Sequence, residues 1–397
     1  MNHAPSPSAR TPPGGRVRQL LVATAIVRLP VTVFSVLFVI QGEPFGLTAA
    51  GTAILLFSAG SAISGLVAGW LLTRHPHRLV LAVSGVITIG LLLALGLAEL
   101  GVVAFWAGAL LLGIAFPATH ISARSTYPVL THGPKLLRTY SWDVSLVQVS
   151  WIVAPALMIV ISPLVGVRGI YAILTAIVAI GLAWYLVAFP AAEFAAAMRR
   201  GDTTPLPAAR AWASVFTEPR IGVYVITVAC IMFVSGLVLP VILHAVDVPQ
   251  LQALAVSIWS VGSTIASVVV NRDGIRRRRL VFGVLIAMTV AVLPVATGSG
   301  LLFDVALLAL GFAMSPLTGA VFFESSRAFA SRLQPIVFGI VTSSQLVAQG
   351  VGSTISGAVI DSTGQYLPIA GLFFVVLGVL VALVTVNPWR AFGSTTS

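Results

Sequence analysis

Gly69-Trp-Leu-Leu-Thr-Arg-His-Pro-His-Arg78 interrupts two long apolar runs, and a related decapeptide, Ser267-Val-Val-Val-Asn-Arg-Asp-Gly-Ile-Arg276, interrupts two more. The two are offset by 198 residues (267 minus 69), half of a 397-residue chain. The same offset aligns Leu112-Gly-Ile-Ala-Phe-Pro117 with Leu310-Gly-Phe-Ala-Met-Ser315. Two separate places agreeing on one offset argue for a duplicated unit, and parallel repeats of this kind build one large class of membrane transporters.

Composition places the chain in lipid. It is 58% hydrophobic and 8% charged with a mean hydropathy of +1.04, whereas a soluble domain carries about 25% charged residues to cover its surface. A helical span needs about 20 mostly apolar residues. About twelve such stretches fit, near 19–41, 47–72, 79–99, 102–125, 138–162 and 167–189 in the first half, and near 221–245, 250–270, 280–297, 301–325, 335–360 and 366–387 in the second. The fold class is therefore an all-α polytopic membrane protein of two pseudo-symmetric six-helix bundles. The bundles occupy residues 17–190 and 221–388, joined by a polar linker at 191–220, with a disordered tail at 1–16 and a short one at 389–397. The first apolar stretch is too long for the core of a signal peptide and has no small-residue cleavage site after it, so it is expected to remain as an anchor.

The formal net charge of +11 is a topology signal. Of 22 Lys and Arg residues, all but Arg28 and Arg168 fall in the tails and alternate loops, while the opposite loops carry Glu43, Glu99, Asp247, Asp304 and Asp361. Positively charged short loops stay on the cytoplasmic side, so both termini are expected to be cytoplasmic and the chain a multi-pass protein of the inner (plasma) membrane. Dispersed loop arginines make no continuous track for phosphates, which excludes nucleic acid as a partner. The single cysteine, Cys230, excludes an intrachain disulfide and reads as a small apolar core residue.

The decapeptide at 69–78 resembles the loop between spans 2 and 3 of the major facilitator superfamily, of the form Gly-x-x-x-Asp-Arg-x-Gly-Arg-Arg. Gly69, Arg74 and Arg78 match, whereas Thr73 stands for the aspartate, Pro76 for the glycine and His77 for an arginine. The second copy keeps Arg272, Gly274 and Arg276, with Asn271 for the aspartate. The resemblance is closest to actinobacterial efflux-like members. It implies twelve helices working by alternating access, and a cytoplasmic gate in which Arg74, Arg78, Arg124, Arg272, Arg276, Glu324 and Arg327 take part. Because the aspartates are missing, the acidic half of that gate is degraded. Drug exporters of the superfamily also carry a Gly-Pro motif in span 5. Ala154-Pro155 keeps the proline without the glycine, which fits either a remnant of that motif or a helix kink made for packing.

Arg28 stands inside Ala25-Ile-Val-Arg-Leu-Pro-Val-Thr-Val-Phe34. An arginine in mid-membrane costs about 2.5–3.5 kcal/mol on insertion scales and therefore faces a partner or a cavity. Asp143, the one acid well inside a span, is the expected partner. How firmly a carboxylate holds a proton depends on whether a guanidinium lies beside it. The pair thus reads either as a proton-coupling switch or as a static ion pair fixing helix register. Gln148 and Trp151 of span 5, and Gln345 and Gln349 one turn apart on span 11, are candidates for the substrate cavity. His120 and Arg124, and Glu324 and Arg327, are expected at the cytoplasmic mouth, as gate contacts or as solvated helix-end charges. Ser61, Gly65 and Gly69, at steps of four, read as a helix-packing stripe.

An enzyme would need a cluster of His, Asp, Glu or Cys, and the six histidines are scattered with no ligand spacing. No phosphate-cradling loop precedes the sole lysine, Lys135, so nucleotide-driven pumping is not expected. No cofactor and no metal are expected. The partners are a small-molecule substrate, a proton as coupling ion and the lipid bilayer, with the chain acting as a monomer. The functional expectation is a secondary transporter exporting a small organic compound against a proton gradient. Uptake of a small anionic metabolite onto Arg28, and a non-transporting receptor or assembly partner on the same scaffold, are the alternatives.

Overall fold

Hydrocarbon offers no hydrogen bonds to the backbone, so a chain this apolar satisfies its amides within helices. The computed structural model describes residues 13–45, 47–98, 101–200, 208–245, 249–269 and 301–385. The expected ninth span at 280–297 lies outside the described residues, as do Arg272 and Arg276 and the tail at 389–397. Among the described residues, thirteen α-helices follow one another: α1 (Pro13–Gly42), α2 (Leu47–Arg74), α3 (His77–Leu97), α4 (Val102–Ala115), α5 (Thr119–Leu130), α6 (Pro134–Ala188), α7 (Ala191–Arg200), α8 (Ala208–Phe216), α9 (Pro219–Ala245), α10 (Pro249–Val269), α11 (Leu301–Ala328), α12 (Gln334–Thr363) and α13 (Leu367–Thr385). Eight stretches among them are long and apolar enough to cross a membrane.

Four details differ from the expectation. The first helix starts at Pro13 rather than after residue 16, as suits a proline whose fixed φ and missing N–H fit the first helical turn. The fourth span is two helices, α4 and α5, separated by Phe116-Pro117-Ala118. The polar linker folds as α7 and α8, and Arg16 of α1 pairs with Glu193 of α7. The fifth and sixth spans form one run, α6, broken at Gly166. Its φ of 63° and ψ of −179° belong to a region open almost only to glycine.

The repeat is visible in the packing. α1 lies on α6 as α9 lies on α12, and α2 lies on α4 as α10 lies on α11. The glycine shared by the two copies of the Leu-Gly motif explains its recurrence. Gly113 of α4 sits against the Phe57 carbonyl of α2, and Gly311 of α11 sits against the Trp259 carbonyl of α10, with no space for a Cβ in either place. Facing outward, the helices are apolar: on α3, Leu81, Gly85, Thr88, Leu92 and Leu95 are buried while Val83, Val86, Ile87, Leu93 and Leu97 are exposed. That apolar exposed face is the one a lipid-facing helix presents.

The two lobes meet along α2 and α12 and along α6 and α10. The face carrying the loops at 75–76, 131–133 and 329–333, with Arg74, Arg78, Lys135 and Arg332, is called the basic face below. There the seam is tight. A Cβ on Gly69 would stand 2.7 Å from the Pro335 carbonyl oxygen and one on Gly339 2.5 Å from that of Gly65, and Ser343 donates to the Ala62 carbonyl at 2.6 Å. Toward the other face, Gly51 of α2 and Gly357 of α12 have open space around them. One apolar cluster accordingly runs from the first lobe into Val321, Phe322, Phe329 and Ile336–Val341 of the second, joining the lobes at the basic face.

Candidate functional site

The polar centre of the first lobe gathers around α5. Arg124 donates from Nε to Asp143 Oδ2 of α6 at 2.8 Å, and both side chains are only 3% exposed. Tyr127, three residues on and hence on the same helical face, donates from its hydroxyl to Asp143 Oδ1 at 3.2 Å. Tyr140 of α6 reaches back to the Arg124 carbonyl at 2.9 Å and stacks edge-on against Tyr127. Arg124 belongs equally to the seam between the lobes. It donates from Nη1 to Thr342 Oγ1 of α12 at 3.3 Å, and its guanidinium lies 3.7 Å from the centroid of Phe322 on α11. A buried ion pair survives only when further hydrogen bonds complete it, and here the second lobe supplies part of that shell.

The direct partner expected for Asp143 was Arg28; the structure gives that place to Arg124. The physical reason is the length of α5, which runs on to Leu130. Six residues beyond Arg124 at 1.5 Å each carry the helix about 9 Å further, so Arg124 sits inside the lobe rather than at its mouth. Arg28 stands midway along α1 and is half-buried. The charges of Arg124 and Asp143 act on it, yet its Nη1 is enclosed without a hydrogen-bond acceptor. Pro30, two residues later, brings no N–H to close back on α1. His120, also expected at the mouth, is likewise interior and half-buried beside Arg28 and Arg124, and its Nε2 has no partner.

The other candidates divide. Gln148, Trp151, Gln345 and Gln349 are all half-buried, and Trp151 packs against the apolar core of the second lobe, which puts it on the seam. Pro155 lies in helical backbone, and the one backbone break within α6 is at Gly166. Arg74 is exposed with its guanidinium 5.1 Å from the Trp70 ring centroid, and Arg78 donates to the Phe189 carbonyl at 2.9 Å. Thr73, standing where the resembled motif has its aspartate, donates to the Trp70 carbonyl one turn back. On α11, Glu324 is buried near the basic face, and Arg327 is exposed with its guanidinium 5.6 Å from the Phe323 ring centroid.

Two participants had no role assigned from the sequence. His77 is buried, with Nδ1 2.8 Å from Ser122 Oγ of α5, and the Tyr185 hydroxyl donates to the same Ser122 at 2.9 Å. The Phe189 and Phe194 rings lie 5.2 and 4.4 Å from the imidazole. The loop thus has an imidazole facing inward where the resembled motif has an arginine. Thr342, the second-lobe partner of Arg124, precedes the serines of the polar run in α12 and is singled out by no sequence signal.

Comparison with known proteins follows this geometry. The family model described as Major Facilitator Superfamily matches residues 20–323. The fold is similar to that of the human organic anion transporter MFSD10 (TETRAN), at 14% identity with a TM-score of 0.70, covering 94% of this chain and 100% of that one. It is similar to a bacterial homologue of the iron transporter ferroportin in an outward-facing state, at 17% identity and a TM-score of 0.66, covering 95% and 99%. It is also similar to the proton:xylose symporter XylE bound to 6-bromo-6-deoxy-D-glucose, at 13% identity and a TM-score of 0.72, covering 95% and 96%. None of the curated proteins matches. A family match over more than half of the sequence, on a polytopic helical fold shared across nearly the whole chain, makes this protein a secondary transporter of the major facilitator superfamily.

Proposed function

We propose that the protein moves a small organic compound across the plasma membrane by alternating access, coupled to protons through Asp143, with export as the working direction. The carrying observation is the position of Arg124. It holds the carboxylate of Asp143 in the first lobe and is itself held by Thr342 and Phe322 of the second. Parting the lobes at the basic face removes those contacts and admits water to the ion pair, so the carboxylate's surroundings change with the transport cycle. Export is preferred because the candidate cavity residues Gln148, Trp151, Gln345 and Gln349 carry no charge. Both termini face the cytoplasm in this reading, the two six-helix units at 17–190 and 221–388 are the moving bodies, and the protein acts as a monomer.

The test is transport in proteoliposomes with an imposed proton gradient. Asp143→Asn is expected to abolish gradient-driven accumulation while leaving exchange of cargo at equilibrium. Undiminished gradient-driven accumulation in that variant removes the proton role, and absence of flux in the wild type across a compound panel favours a receptor on this scaffold. The enclosed, unpartnered Nη1 of Arg28 favours a second reading, uptake of a small anionic metabolite. The direction of flux under the gradient separates the two.

A further inference from the structure

The middle of the fourth span is built as an interrupted helix whose two ends are treated differently. At the end of α4 two carbonyls left open by the break are satisfied: that of Ala115 accepts from Thr88 of α3 at 2.8 Å and that of Phe116 from Ser64 of α2 at 3.4 Å. At the start of α5, 12 residues long, no side chain caps the first turn. The Thr119 and Ile121 amides already donate to the Pro117 and Ala118 carbonyls at 2.8 and 3.1 Å, so what the turn offers an anion is chiefly the partial positive charge of the helix start.

Around this turn stand polar atoms with no partner. Thr119, the first residue of α5, is fully buried with an unbonded Oγ1. His120 beside it has an unbonded Nε2, and the charge of Arg28 acts on its ring. Arg28 has an enclosed, unbonded Nη1, and Thr24, one turn away on the same face of α1, has an unbonded buried Oγ1. α1 packs directly on α5. The charges do not balance either, because Arg28 and Arg124 share the region with Asp143, whose two oxygens already accept from Arg124 and Tyr127. A cation held in mid-span without a counter-charge is costly, and a donor left unmet in the interior costs about 1–3 kcal/mol more.

We propose that this break is the docking point for the carboxylate of the transported compound, with Arg28 as the charged contact, the Thr119 hydroxyl as hydrogen-bond donor, and His120 beside them. The inference deepens the transporter reading and rests on it for the word cargo. A monoanion fits better than a phosphate dianion, since one positive charge is left over once Arg124 and Asp143 have paired. A neutral amide in the carboxylate's place brings no charge to meet the guanidinium of Arg28 and is held less firmly.

The test uses the full-length protein in nanodiscs of zwitterionic lipid, with thermal unfolding followed against sodium benzoate, benzamide and sodium chloride at matched ionic strength. Benzoate is expected to raise Tm saturably while benzamide and chloride do not. Arg28→Gln is expected to raise the half-saturating benzoate concentration at least tenfold, Arg28→Lys to restore part of the affinity, and Thr119→Val to weaken binding with Arg28 in place. Equal shifts with benzoate and benzamide, an equal shift with chloride, no benzoate shift in the wild type, or an unchanged half-saturation in Arg28→Gln each overturn the site. If Arg28→Gln does not fold, the wild-type contrast and Thr119→Val decide. Suppression of the benzoate shift when phosphatidylglycerol is added assigns the site to a lipid phosphate instead and overturns it as a cargo site. Counterflow of radiolabelled benzoate separates the two levels of the argument. Binding without flux sinks the cargo assignment and leaves the anion site; flux indifferent to Arg28→Gln sinks the site and leaves the transporter.

Discussion

Replacing Gly339 by alanine should open the basic face. The added methyl would stand 2.5 Å from the Gly65 carbonyl oxygen, and with 3.4 Å the onset of ordinary contact the two helices must part by about 0.9 Å there (3.4 minus 2.5). The obstacle is backbone, so no side chain can swing away. Overpacking of this kind costs about 1–3 kcal/mol. The cost falls only on the state in which α2 and α12 touch, which shifts the balance between the two open states by about 5- to 150-fold. Cysteine accessibility reads that shift. Cys230 is the sole cysteine, so Cys230→Ala provides a silent background for Ser326→Cys, a buried position on α11 whose hydroxyl donates to the Phe323 carbonyl one turn back. Labelling of that cysteine by a membrane-impermeant maleimide from the basic side should accelerate in proportion. Gly357→Ala, where the methyl enters open space, should leave the rate unchanged. A folded Gly339→Ala protein that labels no faster than its parent refutes the claim that this contact closes the lobes.

Two further changes test the frame that holds the site. Gly166→Ala places a side chain at φ 63° and ψ −179°, a strain of about 1–3 kcal/mol, and should lower Tm without altering the cysteine accessibility described above. Thr88→Val keeps the shape of the side chain but removes the hydroxyl that serves the Ala115 carbonyl. It should destabilise the protein by about 1–3 kcal/mol, seen as a lower Tm in nanodiscs.

The architecture was legible where lipid imposes it. Apolar runs of sufficient length and the 198-residue repeat have direct physical counterparts, and the repeated glycine turned out to be a point of backbone contact in each lobe. The boundary expected between 162 and 167 falls at the break in α6, although the two spans run on there as one helix. The break in the fourth span was not read, although Pro117 stood in the sequence as a signal for it. The apolar residues around that proline hid it, and with it the helix start that brings Thr119 and His120 together. The ion pair was half legible. A lone acid in a span demands a cation, but pairing it with Arg28 required choosing between two arginines on different helices, and that choice depends on where α5 ends rather than on any local pattern. Thr342 is invisible to such reasoning, since nothing in a polar stretch of α12 tells which hydroxyl crosses the seam.

Arg124 joins what could have been two separate devices. A gate made only of α2 and α12 would open and close without any consequence for Asp143, and an ion pair sealed inside one lobe would be indifferent to the gate. Because the guanidinium rests on Phe322 and bonds Thr342, separating the lobes at the basic face has to remove a hydrogen bond and a ring contact from the same cation that neutralises Asp143. Each of these is worth about 0.5–3 kcal/mol in a desolvated setting, which is the size of the bias that sets the populations of two conformations. Gate and carboxylate are therefore linked by a free energy that acts in both directions. In the proposed cycle, whatever changes the charge on Asp143 shifts the lobes, and whatever shifts the lobes changes how that charge is held. The unpaired Arg28 lies within reach of both charges, so an anion arriving there would enter the same balance.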